Sequence, residues 1–295
     1  MGQLTRLTGV ALTFVVLALA CAAEAGAKKR SPGLVFGGET SQDSPFVLVL
    51  RRGARAVDHA ALVVSARCSD GQMLRAFATL SFGGDIPAFI GPGHHYFPNG
   101  KLSTTRAFSS AGLGNEDFGE VSGAMSEKIK GKIQANGAAS GTYAATVTLT
   151  DHQGAKVATC NTGVLRWTAR SERGRIYAGS TTQDQPVVVK LNRQRTRVTD
   201  LLVGWGAGCT PSGSILIGDH LTNFPISAAR FGDRFQAQSD IDGGGRETFD
   251  YAVNGRVGKS KASGRLSVEV KDTDGSGAAI STCNTGSVTW SAKTG

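Results

Sequence analysis

The stretch Thr159–Arg170 reads "TCNTGVLRWTAR", and Thr282–Lys293 reads "TCNTGSVTWSAK". Cys-Asn-Thr-Gly, with a tryptophan seven residues after the cysteine, thus closes two separate parts of the chain. Either one motif serves chemistry twice, or each of two domains needs it to hold itself together. The flanking sequence favours the second answer. "FGGETSQDSPFVLVL" (Phe36–Leu50) matches "YAGSTTQDQPVVVKL" (Tyr177–Leu191) at a constant offset of 141, which also carries Val57 onto Val198 and Cys68 onto Cys209. Further on the offset is 123, and it carries Ser140-Gly141 onto Ser263-Gly264, Gly154 onto Gly277, Cys160 onto Cys283 and Trp167 onto Trp290. Self-similarity of this kind marks a repeated structural unit. The change from 141 to 123 places 18 extra residues in the first copy. They are expected between Phe82 and Gly119, where "GPGHHYFPNGKLSTT" and "SSAGLGNEDFG" read as loops.

Within each copy the periodicity is that of strands. "PFVLVLRR" and "PVVVKLNR" are short β-branched runs, and "GTYAATVTLTD", "RLSVEVKD" and "GVLRWTAR" alternate apolar with polar residues. Glycine-rich turns separate them, with 40 glycines against 8 prolines in 295 residues. No stretch past residue 30 has the period of an amphipathic helix. The expected fold class is all-β: two tandem antiparallel β-sandwich domains, with a jelly roll as a candidate topology and about eight strands each.

The N-terminal end reads as a targeting segment. Arg6 precedes the apolar run Leu7–Ala23, and Ala23-Glu24-Ala25 is an A-x-A cleavage site that leaves Gly26 as the first mature residue. Cys21 raises lipoprotein anchoring, but Ala18 stands where a lipobox prefers Leu, Val or Ile, so simple secretion is favoured. No later apolar stretch is long enough to span a bilayer. The expected organisation is therefore a signal peptide (1–25), a basic flexible tail (26–32), a first sandwich domain (33–171), a short joint (172–175) and a second domain (176–295).

Export turns the remaining cysteines into a disulfide pattern. Four cysteines allow three pairings, and the repeat favours Cys68–Cys160 and Cys209–Cys283. A zinc site is disfavoured because no C-x2-C pair is present. The tryptophans are expected in the core, packing near each bridge.

The net charge of +9 is spread over many basic residues, not gathered in one run. Export argues against nucleic acid and suits an anionic envelope polymer or carbohydrate as partner. "GHHYFPNG" (Gly93–Gly100) is the sharpest local candidate: His94, His95 and Tyr96 could meet a metal or a sugar ring, against the plainer reading of an exposed loop tip. Adjacent histidines on a strand point to opposite sides, and no third ligand is near. The D-x-D-G runs at 239–245 and 271–277 read as hairpin turns better than as calcium loops, since neither carries the downstream glutamate. "TSQD-P" and "TTQD-P" read as turns leading into strands. No nucleophile elbow, H-E-x-x-H or phosphate loop is present, and no cofactor is implied.

The pattern "Y-A-G-x-T-x-Q…P-V", then "V…C", then "T-C-N-T-G-x-V-x-W-x-A-R/K" resembles a group of uncharacterised exported β-rich proteins of actinobacteria. That resemblance covers nearly the whole mature chain twice and implies secretion and a sandwich domain, but no activity. The functional expectation is an exported, non-enzymatic binding or surface-interaction protein; the alternatives are a secreted hydrolase of a polymer and a structural envelope protein.

Overall fold

A computed structural model describes residues 33–83, 94–118, 121–241 and 244–295. The expected signal peptide with Cys21, Ala25 and Gly26, and the tail 26–32, lie outside the described residues. Within them every regular element is a strand. The first half supplies β1 (Val35–Thr40), β2 (Pro45–Leu50), β3 (Val57–Cys68), β4 (Met73–Phe82), β5 (His94–Phe97), β6 (Ala107–Asp117), β7 (Val121–Ile133), β8 (Ala138–Asp151), β9 (Lys156–Asn161) and β10 (Leu165–Arg170). After a turn at Glu172–Arg175 the second half supplies β11 (Ile176–Thr181), β12 (Pro186–Leu191), β13 (Arg197–Thr210), β14 (Ser214–Pro225), β15 (Arg230–Ile241), β16 (Gly245–Val257), β17 (Lys261–Thr273), β18 (Ala279–Asn284) and β19 (Val288–Thr294).

Each half forms one continuous sheet. In the first, β1 to β9 follow one another as neighbours, and β10 returns to pair with both β1 and β8. The sheet therefore closes on itself around a core, like a barrel. Sequential neighbours make a meander, so the jelly-roll expectation is corrected: among the described residues the strands do not take its crossed order. The expectation of a wholly antiparallel sheet is corrected too, because β5 runs parallel to β4. In the second half the order is β14-β13-β12-β11-β19-β17-β16-β15, and β14 and β15 are left as edges.

The alternation read from the sequence accounts for the two cores. In β10, Leu165, Trp167 and Ala169 are buried while Arg166, Thr168 and Arg170 face water. Trp167 stacks on Phe46 with ring centroids 4.4 Å apart, and Trp290 packs near Phe231. Each ring lies over a glycine directly across the ladder, Gly141 and Gly264 respectively. A Cβ there would come within 2.5 and 2.4 Å of the indole, so the glycine of the Ser-Gly pair found in both halves is a seat for tryptophan.

The cysteines form Cys68–Cys160 and Cys209–Cys283. Both bridges join residues directly opposite each other, on β3 and β9 and on β13 and β18. They tie neighbouring strands of one sheet, not two layers of a sandwich. After each, Asn161 or Asn284 accepts a bond from the backbone N–H of Gly163 or Gly286, both at positive φ, so Asn-Thr-Gly is a turn.

β2 and β12 are buried almost throughout, because both faces are covered. Their inner sides join the two cores. The outer sides of β1–β3 and β11–β13 meet each other through Val35, Val47 and Ala61 against Ala178, Val188 and Leu202. Gly37 permits this approach: a Cβ would lie 2.8 Å from Val188 Cγ1. Lys190 Nζ bonds Glu39 Oε2 at 2.9 Å across the same contact.

Candidate functional site

The outer faces of the two sheets touch along that apolar strip and again where Gly204 and Gly218 approach Val63 and Ser44. Twisted sheets diverge away from their line of contact. The divergence leaves a groove of about 790 Å³ between the first sheet and the second. That volume and the position between two halves are those expected of a ligand site.

One wall comes from β3 and β4, whose outward residues alternate with core residues. His59 stands directly across from Ser81, and Ala61 across from Thr79; Phe77 continues the row. Phe77 and Thr79 are half-buried. The floor is Val35, Val47, Val49 and Ala178. The opposite wall carries Ser180, Ser291 and Lys293, with Gln183 and Asp184 at the turn between β11 and β12. His59 Nδ1 is 3.2 Å from Asp58 Oδ2, and Asp58 also faces Arg51 Nε at 3.5 Å. The groove thus combines an apolar floor, an aromatic ring, hydroxyl groups and charges of both signs at its rim.

The turn that borders the groove is itself held rigidly. Gln183 donates through Nε2 to the carbonyl of Gly206 and accepts from its N–H. Gln42 does the same to Ser65 in the first half. Asp43 and Asp184 adopt positive φ at the tip. "TSQD-P" and "TTQD-P" are therefore hairpin clamps; only the second of them borders the groove.

The candidates His94, His95 and Tyr96 are placed differently from their loop-tip reading. Residues 94–97 form β5, inserted between β4 and β6. "SSAGLGNEDFG", also read as a loop, is mostly β6. His94 begins β5, and its side chain lies outside the described residues. His95 points into the core with no solvent exposure. Its Nδ1–H donates to Glu127 Oε2 at 2.7 Å and its Nε2–H to Glu116 Oε1 at 2.8 Å. Tyr143 donates its hydroxyl proton to the other oxygen of Glu127. Burial alone would lower the His95 pKa, but hydrogen bonds and the negative charges of Glu116 and Glu127 outweigh it and raise it to about 9. Burial, reinforced by the Glu127 charge, pushes the Tyr143 phenol well up. Tyr96 is half-buried, and its hydroxyl has no partner among the described residues. Gly114 opens the space for the imidazole: a Cβ would come 2.4 Å from Nδ1. This enclosed cluster fastens β5 to the interior.

The second half has a different buried acid. Asp219 on β14 accepts from Trp205 Nε1 at 2.6 Å and bonds Tyr251. Burial raises its pKa, against the hydrogen bonds from Trp205 and Tyr251 and the charge of Arg75. Neither acid was singled out from sequence. Glu127 did leave a trace there, since it falls in step with Met125, Ile129 and Ile133 on the inward face of β7. Nothing comparable marks Asp219, whose partners come from two other strands.

The D-x-D-G run at 271–277 is a turn in which Asp274 Oδ1 accepts from the N–H groups of Ser276 and Ala278. In the run at 239–245, residues 242 and 243 lie outside the described residues. Among the described residues no group of three or more His, Cys, Asp or Glu is arranged to hold a metal ion. No helix there is long and apolar enough to cross a membrane.

Fold and groove together define a class: an all-β, disulfide-bonded protein of two packed barrel-like sheets with a ligand-sized groove between them. No family model matches the chain, and no curated protein matches it.

Proposed function

We propose that this is an exported, non-catalytic binding protein built from two copies of one β domain, and that the groove between them holds a carbohydrate chain of the cell envelope. The groove carries the reading. Sugar rings present apolar faces that pack on aromatic and aliphatic side chains, and hydroxyl edges that need many short-range partners. Phe77 and the Val/Ala floor suit the first, and Thr79, Ser81, Ser180 and Ser291 suit the second. Lys293 and the overall positive charge favour an anionic polymer over a neutral one. Two disulfides fit an oxidising compartment. Parallel sheet orders and matched disulfide registers support the duplication.

The test is a retention assay of the mature protein on insoluble cell-wall fractions and on acidic and neutral polysaccharides at low salt. Retention on at least one polymer is expected, with a loss of about tenfold in Phe77→Ala. No retention on any polymer would end the reading.

A hydrolase reading has one specific observation in its favour. Asp58, His59 and Ser81 are neighbours at the groove wall. No hydrogen bond joins His59 to Ser81, so binding is the better account. Polymer breakdown that disappears in Ser81→Ala would reverse that preference.

A further inference from the structure

The first sheet closes because β5 fills the position between β4 and β6, parallel to one and antiparallel to the other. In the second sheet the corresponding strands are β14 and β15. Disulfide register fixes the match. Cys160 lies opposite Val147, and two residues back Ala145 pairs with Glu127, which pairs with Gly112. Cys283 lies opposite Val270, and two residues back Val268 pairs with Tyr251, which pairs with Phe235. Gly112, Gly114 and Glu116 therefore correspond to Phe235, Ala237 and Ser239. β14 and β15 are held together at the Ser227–Arg230 turn, where Phe224 and Phe231 touch. Beyond it, no backbone pairing joins them among the described residues, and each keeps one edge unpaired.

We propose that this gap accepts an extended peptide strand from a partner protein, paired as β5 is paired in the first sheet, with a basic residue pointing inward and a small residue two positions later. Unpaired edges are templates for strand addition. The inward pattern follows from charge and space. In the first sheet the inserted strand brings the His95 cation to two interior carboxylates, Glu116 and Glu127. Near the level that His95 takes, the inward faces of β14 and β16 carry the carboxylates of Asp219 and Glu247, with no lysine or arginine at an inward position of β14, β15 or β16; Arg75 of the first sheet acts on Asp219 from the other side. A lysine or arginine entering at the position of His95 would complement the two carboxylates. Two residues on, the first sheet makes room for Phe97 with Gly112, where a Cβ would come 2.8 Å from the ring. At the corresponding place Phe235 already fills the space and stacks on Tyr251 at 4.9 Å. Only a small side chain fits over it.

The experiment uses the mature chain and the probe peptide acetyl-Thr-Val-Lys-Val-Ala-Thr-amide, titrated by calorimetry and by amide NMR. Binding below about 1 mM is expected, with slowed amide exchange in 221–223 and 236–238. Replacing the peptide lysine by glutamate, the alanine by phenylalanine, or alternate peptide N–H groups by N-methyl should each weaken binding about tenfold or more. Glu247→Gln in the protein should weaken the lysine peptide about tenfold at an unchanged unfolding midpoint. Asp219→Asn should do the same if it folds. No binding at about 1 mM, or equal binding of the N-methylated peptide, would overturn the proposal. Self-association that the peptide does not compete would overturn it in favour of a second copy of this chain.

Discussion

His95 Nδ1 lies 2.7 Å from Glu127 Oε2, and neither side chain reaches solvent. A buried charge that keeps its partner is tolerable, whereas one that loses it is costly. The His95 pKa is raised to about 9 in the folded protein, from an ordinary value of 6.5. Its contribution to stability is therefore complete below pH 6.5 and is lost as pH rises through about 9. Denaturant melts across pH 6 to 10 should show a fall of about 3 kcal/mol over that window. His95→Gln should be less stable by about 3–5 kcal/mol at pH 6 and should flatten the pH profile. An unchanged alkaline slope in that variant would show that His95 is not the titrating group.

The disulfides close loops of 92 and 74 residues. Chain-entropy reasoning values each at about 4–5 kcal/mol as an upper figure. Replacing Cys68 and Cys160 by serine should lower the unfolding midpoint strongly while Cys209–Cys283 persists. Peptide mapping without reductant should recover only the two within-half links. A Cys68–Cys209 link would contradict the strand registers.

Gly141 and Gly264 sit beneath Trp167 and Trp290. Gly141→Val and Gly264→Val must displace the ring or the ladder, at a cost of about 1–3 kcal/mol or more. Near-ultraviolet circular dichroism should report loss of tryptophan ordering in each. The same change at Gly71, where a Cβ would meet nothing within 4 Å, should leave that signal intact, with only the backbone strain of its positive φ.

Gly37 lies at the contact between the two sheets, close to Val188. Gly37→Leu should separate the halves without unfolding either, splitting one thermal transition into two and lowering retention on the polymer that the native protein binds. Glu39→Gln, which removes the partly exposed pair with Lys190, should cost only about 0–1 kcal/mol. Scanning calorimetry distinguishes the two variants.

Much of this architecture was legible before any coordinates. Alternation in "GVLRWTAR" and "GTYAATVTLTD" reports which residues face a core, because side chains on a strand alternate by geometry alone. Cysteines at matched places in the two halves point to bridges within each half, and the structure has those bridges. "TCNTG" is a turn for local reasons, since asparagine bonds the backbone two residues on and glycine takes the positive φ. Other features were illegible. "SSAGLGNEDFG" reads as a loop because its inward positions include Gly112 and Gly114, which are small only to admit Phe97 and His95 from another strand. The groove had no local signature, because Phe77 and Lys293 belong to different sheets.

By itself the sequence determined what depends on near neighbours, strand periodicity and turns, and the matched places of its cysteines favoured the pairing that forms. Tertiary structure alone decided that each sheet curls round its core instead of splitting into layers. It also decided that β5 closes one sheet while the other stays open, and that two outer faces diverge to form a groove. These outcomes rest on contacts between residues far apart in the chain, where burial and steric fit, not local backbone preference, set the lowest free energy.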